Sequence, residues 1–186
     1  DIMHLLIVSG RSGAGKSSAL GALEDLDFYC IDNLPVALLK DTVTTLSTLS
    51  PGRNLAVSID IRTLGHPADV PALVKALLEH VRHLDVVFID AIDESLARRF
   101  SETRRLHPLS TGIERTHLSD ALKRESTRLE PIQQIATYKI DSSGLSIHAL
   151  RSQIRELVAG DKATQLILKL QSFGFKRGVP MDSDTV

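Results

Sequence analysis

Cys30 is the only cysteine in the chain, so no disulfide can form within it, as expected for a reducing compartment. Flanked by Phe28-Tyr29 and Ile31, it reads as a small apolar strand residue rather than a nucleophile. Tryptophan is absent and only two tyrosines and five phenylalanines occur, too few platforms to stack successive bases. Charge of one sign is also lacking. Lys and Arg number 22 against 23 Asp and Glu, a net of −1, so no global field draws in nucleic acid or an anionic membrane. No apolar run approaches the length that spans a bilayer, and the first one starts near residue 4, leaving no room for a secretory leader. No Cys/His spacing suggests zinc. Together these absences predict a soluble, cytoplasmic protein without membrane contact, of one domain or one domain with a stub of another.

What is present is a loop. Gly10-Arg11-Ser12-Gly13-Ala14-Gly15-Lys16-Ser17 follows the apolar run His4–Val8 and precedes a helix-forming run from Ser18. It reads G-x-x-x-x-G-K-[ST], the Walker A pattern. Glycines let the backbone curl its N–H groups around a polyphosphate, and the next helix adds its positive end. Lys16 is placed to reach the β- and γ-phosphates and Ser17 to ligate Mg²⁺. The loop predicts nucleoside triphosphate binding, shared by motors, kinases and switches.

Short apolar runs alternate with longer amphipathic ones. Strands are expected at Phe28–Asp32, Leu55–Asp60, Leu84–Asp90 and Ala136–Asp141. Helices are expected over Val36–Leu49, Pro67–Arg82, a stretch capped by Asp93-Glu94-Ser95, Leu118–Leu129 and Ser146–Val158. This alternation predicts an α/β fold: a P-loop NTPase of the kinase-like type, three layers α/β/α around a mostly parallel five-stranded sheet. Residues 1–160 form the nucleotide-binding domain in this reading. Residues 161–186 hold a terminal strand (Leu166–Phe173) and a linker (Gly174–Pro180) toward a further domain.

Ligands in such sheets lie at the carboxyl ends of the strands, where Asp32, Asp60 and Asp90 fall. By its letters Asp90 resembles a metal-binding strand end. Topology favours Asp60, because in kinase-like members the strand after the second helix lies beside the first and faces the Mg²⁺. Asp60 with Ser17 is therefore the expected metal pair, and Lys16 with Asp60 the expected catalytic pair. Asp32 faces the metal, a second ligand, or merely closes a turn. The arginine-rich stretch after the fourth strand supplies Arg98, Arg99, Arg104 and Arg105 as candidates for a lid over the triphosphate. Spacing puts Arg98, Glu102 and Arg105 on one helical face, which also suits a solvated helix with internal ion pairs, or more weakly an RNA patch. His107 could act as a base, but a histidine before proline is more often a loop residue.

The loop, Phe28-Tyr29-Cys30-Ile31-Asp32-Asn33-Leu34-Pro35, Asp60-Ile61-Arg62, Thr103-Arg104-Arg105-Leu106-His107-Pro108-Leu109 and Ser172-Phe173-Gly174-Phe175-Lys176 occur in this order. In that combination the chain resembles the RapZ family of bacterial RNase adapter proteins over essentially its whole length. The resemblance implies ATP at Gly10–Ser17 and GTP at Asp60-Ile61-Arg62-Thr63, with slow hydrolysis of both. Thr63 departs from an asparagine associated with that position. It also implies delivery of a small regulatory RNA to an RNase, with RNA recognition in a separate C-terminal domain. The leading expectation is thus a regulatory nucleotide-binding domain with weak NTPase activity, and a small-molecule kinase is the alternative. Assembly with further copies of the chain is left open by the residues.

Overall fold

The computed structural model describes residues 2–110 and 118–160. The expected C-terminal strand and linker, at 161–186, lie outside the described residues. Five strands, β1 (Ile2–Gly10), β2 (Tyr29–Ile31), β3 (Asn54–Ser58), β4 (Val81–Asp90) and β5 (Tyr138–Asp141), form one sheet in the order β2-β3-β1-β4-β5. Every pairing is parallel. Helices α1 (Lys16–Asp25), α2 (Leu39–Leu49), α3 (Val70–Leu77), α4 (Asp93–Thr103), α5 (Leu118–Ile135) and α6 (147–160) make the crossovers and flanks.

The central strand explains the layering. β1 is apolar on both sides, as a doubly covered parallel strand must be. Leu6 and Val8 pack with Leu23 of α1, Leu96 and Phe100 of α4, and Leu150 and Ile154 of α6. Leu5 and Ile7 face the other way, onto Val43 of α2, Leu77 of α3 and Leu129 of α5. The result is the expected kinase-like α/β/α arrangement. β3 lies beside β1, with Leu5 opposite Leu55 and Val8 opposite Ser58, so the ends carrying Asp32, Asp60 and Asp90 share the sheet edge that bears the loop.

Several boundaries differ from the sequence reading. The third helix stops at Leu77 rather than Arg82, because Val81 opens β4 and pairs with Ile2. α5 runs on past Leu129 to Ile135 and through Pro131. Pro131 forfeits one helical hydrogen bond, yet Ile132 is buried on the same apolar face and holds the turn in place. α4 has no side-chain cap. Ile92 is its N-cap, and Asp93 and Glu94 stand in the first turn, where the positive helix end still favours them. The same helix ends at Thr103 with Arg104 in a left-handed conformation (φ 52°). Arg105 therefore lies beyond it, and the expected face of Arg98, Glu102 and Arg105 does not form.

Candidate functional site

Residues 10–17 close a tight loop between β1 and α1, and two glycines are fixed by space. A Cβ on Gly10 (φ 149°) would stand 2.0 Å from the Ile89 carbonyl oxygen of β4. One on Gly15 (φ 121°), the N-cap of α1, would meet Leu150 at 2.5 Å. Both positions combine positive φ with close approach, which only glycine tolerates.

The loop is held from outside by long-range bonds. Arg11 is buried and turned away from the loop interior. Its Nε donates to Asp90 (2.9 Å), its Nη2 to the Ala91 carbonyl (2.7 Å), and its Nη1 lies 2.6 Å from Asp93. Burial opposes its charge, but the two carboxylates outweigh burial and keep the guanidinium firmly protonated. Asp90 is thereby committed to Arg11. Arg99 of α4 donates to the Gly13 carbonyl (2.9 Å) and the Ser142 carbonyl (2.6 Å), while the Ser142 hydroxyl donates to the Ala14 carbonyl (2.6 Å). These bonds draw the loop's carbonyls outward. Among the described residues, the N–H groups of Gly13, Gly15, Lys16 and Ser17 then meet no protein acceptor, whereas Ser12 and Ala14 donate to Glu125 and Arg11.

Beneath the loop lies Glu125 of α5, fully buried. Its Oε1 accepts the Ser12 N–H (2.8 Å) and His107 Nε2 (3.1 Å), and its Oε2 accepts the Ser12 hydroxyl (2.6 Å). His107 Nδ1 accepts the Leu109 N–H (3.0 Å), so the hydrogen directed at Glu125 sits on Nε2. Burial alone would raise the Glu125 carboxyl, but the bonds from His107 and Ser12 hold it below the usual range. Nothing in the sequence reading singled out Glu125. The available signal was a charge on an apolar helix stripe, since Ala121, Leu122, Leu129 and Ile132 share its buried face. His107 is neither an exposed base nor a plain loop residue; it braces this carboxylate.

On the open side, the Lys16 ammonium donates to the Gly10 (3.0 Å) and Arg11 (3.3 Å) carbonyls. Burial pushes its pKa down, against the pull of Glu125, Asp60 and Asp32. The Ser17 hydroxyl donates to Asp32 (2.9 Å), whose other oxygen accepts from Ser58. Asp60 sits past the end of β3 and caps the turn Ile61–Thr63 through the Arg62 N–H (2.8 Å). Its carboxylate also takes a two-pronged pair from Arg62, at 3.0 and 2.8 Å. Burial would raise the Asp60 pKa, but the Arg62 bonds and the Lys16 charge hold it low. Arg62 keeps 57% of its side chain in solvent against 8% for Asp60, so an acid is covered and a guanidinium is presented. Thr63 turns its hydroxyl back to the Asp60 carbonyl (3.5 Å).

The structure therefore brings Lys16, Ser17, Asp32, Asp60 and Arg62 to one edge. Of the lid candidates only Arg99 touches the loop. Arg98, Arg104 and Arg105 are exposed. Cys30 is unremarkable as a thiol: burial and the nearby Glu24 push it up to about 11. A cleft of about 460 Å³ lies on the outer side of this edge, between Arg11, Asp93, Lys139 and Asp141. Within it Arg11 pairs with Asp90 and Asp93, and Lys16 is not among the residues that line it.

The family model for the RapZ-like N-terminal domain matches residues 3–162. The chain belongs to this family. Relatives of the RapZ-like domain include a protein named nucleotide-binding protein from Hahella chejuensis, 48% identical over 99% of this chain and 65% of its own length. Another of that name, from Marinobacter nauticus, is 47% identical over 99% and 63%. The chain thus spans just under two thirds of the curated relatives it matches. Among solved structures, shikimate kinase from Bacteroides thetaiotaomicron superimposes with a TM-score of 0.56 at 17% identity, over 84% of this chain and 99% of that one. A gluconokinase from Sinorhizobium meliloti gives 0.53 at 17% identity, over 91% and 97%. These likenesses establish the P-loop kinase-like fold of the RapZ-like domain. No helix among the described residues is long and apolar enough to cross a membrane.

Proposed function

We propose that this RapZ-like domain binds a nucleoside triphosphate, ATP or GTP, at Gly10–Ser17 and serves as a regulatory, weakly hydrolysing module of an RNase adapter. The observation that carries the reading is the set of N–H groups at Gly13, Gly15, Lys16 and Ser17 that meet no protein acceptor among the described residues, beside a lysine and with the Gly13 and Ala14 carbonyls taken up by Arg99 and Ser142. That is a cradle for anionic oxygens at a helix N-terminus. The name of the relatives, nucleotide-binding protein, agrees with it.

Mg²⁺ takes hard oxygen ligands, and the Ser17 hydroxyl with the Asp32 carboxylate, already 2.9 Å apart, fits it. Asp60 would join through water, since both its oxygens are occupied by Arg62. The bound cation would neutralise phosphate charge. Lys16 would do the same from the other side and exchange its carbonyl acceptors for phosphate oxygens. Arg62, exposed and held by Asp60, would present a guanidinium to a second anion, consistent with GTP at Asp60–Thr63. Arg99 would act on the loop's shape rather than as a closing lid, leaving Arg98, Arg104 and Arg105 for any lid. The Arg62 bonds hold the Asp60 pKa low and make it a weak base toward an attacking water, which suits slow hydrolysis. Contact with small RNA and RNase would rest mainly with the part of the relatives that this chain does not span.

A small-molecule kinase is the second reading, favoured by the Asp60–Arg62 pair at an acceptor-like position in a kinase-like fold. Following ATP consumption with and without candidate metabolite acceptors separates the two. Basal, acceptor-independent turnover is expected. Acceptor-dependent turnover far above basal would replace the regulatory reading.

A further inference from the structure

We propose that His4, His83 and Asp85 form a site for a borderline divalent transition metal, with Zn²⁺ as the natural occupant, at the sheet edge opposite the nucleotide loop. His4 on β1 pairs in register with His83 on β4, and Asp85 follows two residues on, opposite Leu6. Period-2 alternation therefore points His83 and Asp85 to one face. Both imidazoles aim Nε2 at the same carboxylate oxygen, at 2.9 Å from His4 and 2.8 Å from His83. All three potential ligand atoms lie within 4.8 Å of one another. The two rings sit 4.7 Å apart at 65° to each other, and Phe28 closes over His4 edge-on at 5.6 Å.

The chemistry selects the metal. Two imidazoles with one carboxylate suit Zn²⁺ and its neighbours and disfavour Mg²⁺ or Ca²⁺, which seek oxygen. Ligands on tetrahedral zinc at about 2.0–2.1 Å stand about 3.3 Å apart, so the two imidazole–carboxylate spacings need open by only about half an ångström, and the two ring nitrogens already lie within 4.8 Å of each other. Binding requires an Nε2 lone pair from each ring. The hydrogen each ring now directs at Asp85 must move to its Nδ1, or leave to solvent if that ring is doubly protonated. His4 and Asp85 are buried, whereas His83 keeps 35% of its side chain in solvent. Two ligands are thus fixed in the interior, and the half-exposed His83 opens a path for the ion and a fourth, water ligand. Six residues of extended strand separate His4 from Gly10, about 20 Å, so the metal would staple β1 to β4 without touching bound nucleotide. Spacing along the sequence gave no hint of this, because the ligands come from strands nearly eighty residues apart.

The test is a Zn²⁺ titration of tag-free, chelator-stripped protein against a competing chromophoric chelator. Excess Mg²⁺ is present to saturate the oxygen ligands near Ser17, and Co²⁺ absorption serves as a geometric readout. One Zn²⁺ per chain and a tetrahedral Co²⁺ spectrum are expected. His83→Gln, at the accessible edge, and His4→Gln should each weaken binding at least about 100-fold, beyond the loss seen for outer-sphere partners. His66→Gln should leave it unchanged. Absence of stoichiometric binding would overturn the site, as would wild-type affinity in either His4→Gln or folded His83→Gln.

Discussion

Replacing Glu125 should reveal how the phosphate loop is supported. The fully buried carboxylate accepts three hydrogen bonds, from the Ser12 N–H, the Ser12 hydroxyl and His107 Nε2. In Glu125→Leu all three donors lose their acceptor out of reach of water. Each unsatisfied group costs about 1–3 kcal/mol and some will find partial compensation, so the expected loss is about 3–5 kcal/mol. In Glu125→Gln the amide oxygen still accepts from Ser12 N–H and His107, and the Ser12 hydroxyl can rotate to accept from the amide. Only the charge-assisted component goes, about 1–2 kcal/mol. The pH dependence has a definite sign. The folded pKa of Glu125 lies below its unfolded value of about 4.3, so its contribution is complete above that pH and is lost as pH falls through the folded pKa. Wild type and Glu125→Gln should therefore converge in acid. Urea unfolding of the three proteins from neutral pH into that range reads both effects. A Glu125→Leu protein within about 0.5 kcal/mol of wild type, the scatter of ordinary surface substitutions, would refute the reasoning.

Other outcomes follow from the same geometry. Gly10→Ala places a Cβ 2.0 Å from the Ile89 carbonyl and should cost at least about 3 kcal/mol or prevent folding, read by thermal unfolding. Arg11→Met strands Asp90 and Asp93 and should cost about 3 kcal/mol by urea unfolding, less than a fully buried pair because both acids are partly solvated. Arg62→Ala takes two charge-assisted bonds from a carboxylate with only 8% of its side chain in solvent and should cost about 1–3 kcal/mol by urea unfolding, softened by the nearby Lys16 charge. In nucleotide titrations the same variant should disturb a second, GTP-like ligand more than ATP.

The fold was legible because its signals are local. The run His4–Val8, the loop and the alternation of apolar runs with amphipathic stretches each lie within a few turns of chain, and topology then placed Asp60 beside β1. Boundaries slipped where two periodicities overlapped. Val81 extends the helical apolar spacing of α3 but is spent on pairing with Ile2. Arg104 ended α4 early through a left-handed φ that its letter does not announce. The support of the loop was illegible for a different reason. Ser12–Glu125, Arg11–Asp90 and Arg99–Gly13 join residues 113, 79 and 86 positions apart, and no window of sequence contains both ends. Arg11 and Arg99 are thus anchors whose partners only the folded sheet brings within reach. Asp32, left open between metal, ligand and turn, lies against Ser17 because β2 ends where α1 begins.

The most direct test of the central claim is a titration of the RapZ-like domain and of Lys16→Ala with ATP and GTP in the presence of Mg²⁺, with unfolding curves to show that both proteins are folded. Saturable binding by wild type and at least about a 10-fold loss in the variant are expected, because Lys16 provides the loop's ammonium and a charge-assisted bond is worth about 1.5–3 kcal/mol. Equal affinity of the two folded proteins for both nucleotides would contradict the assignment of Gly10–Ser17 as the triphosphate site.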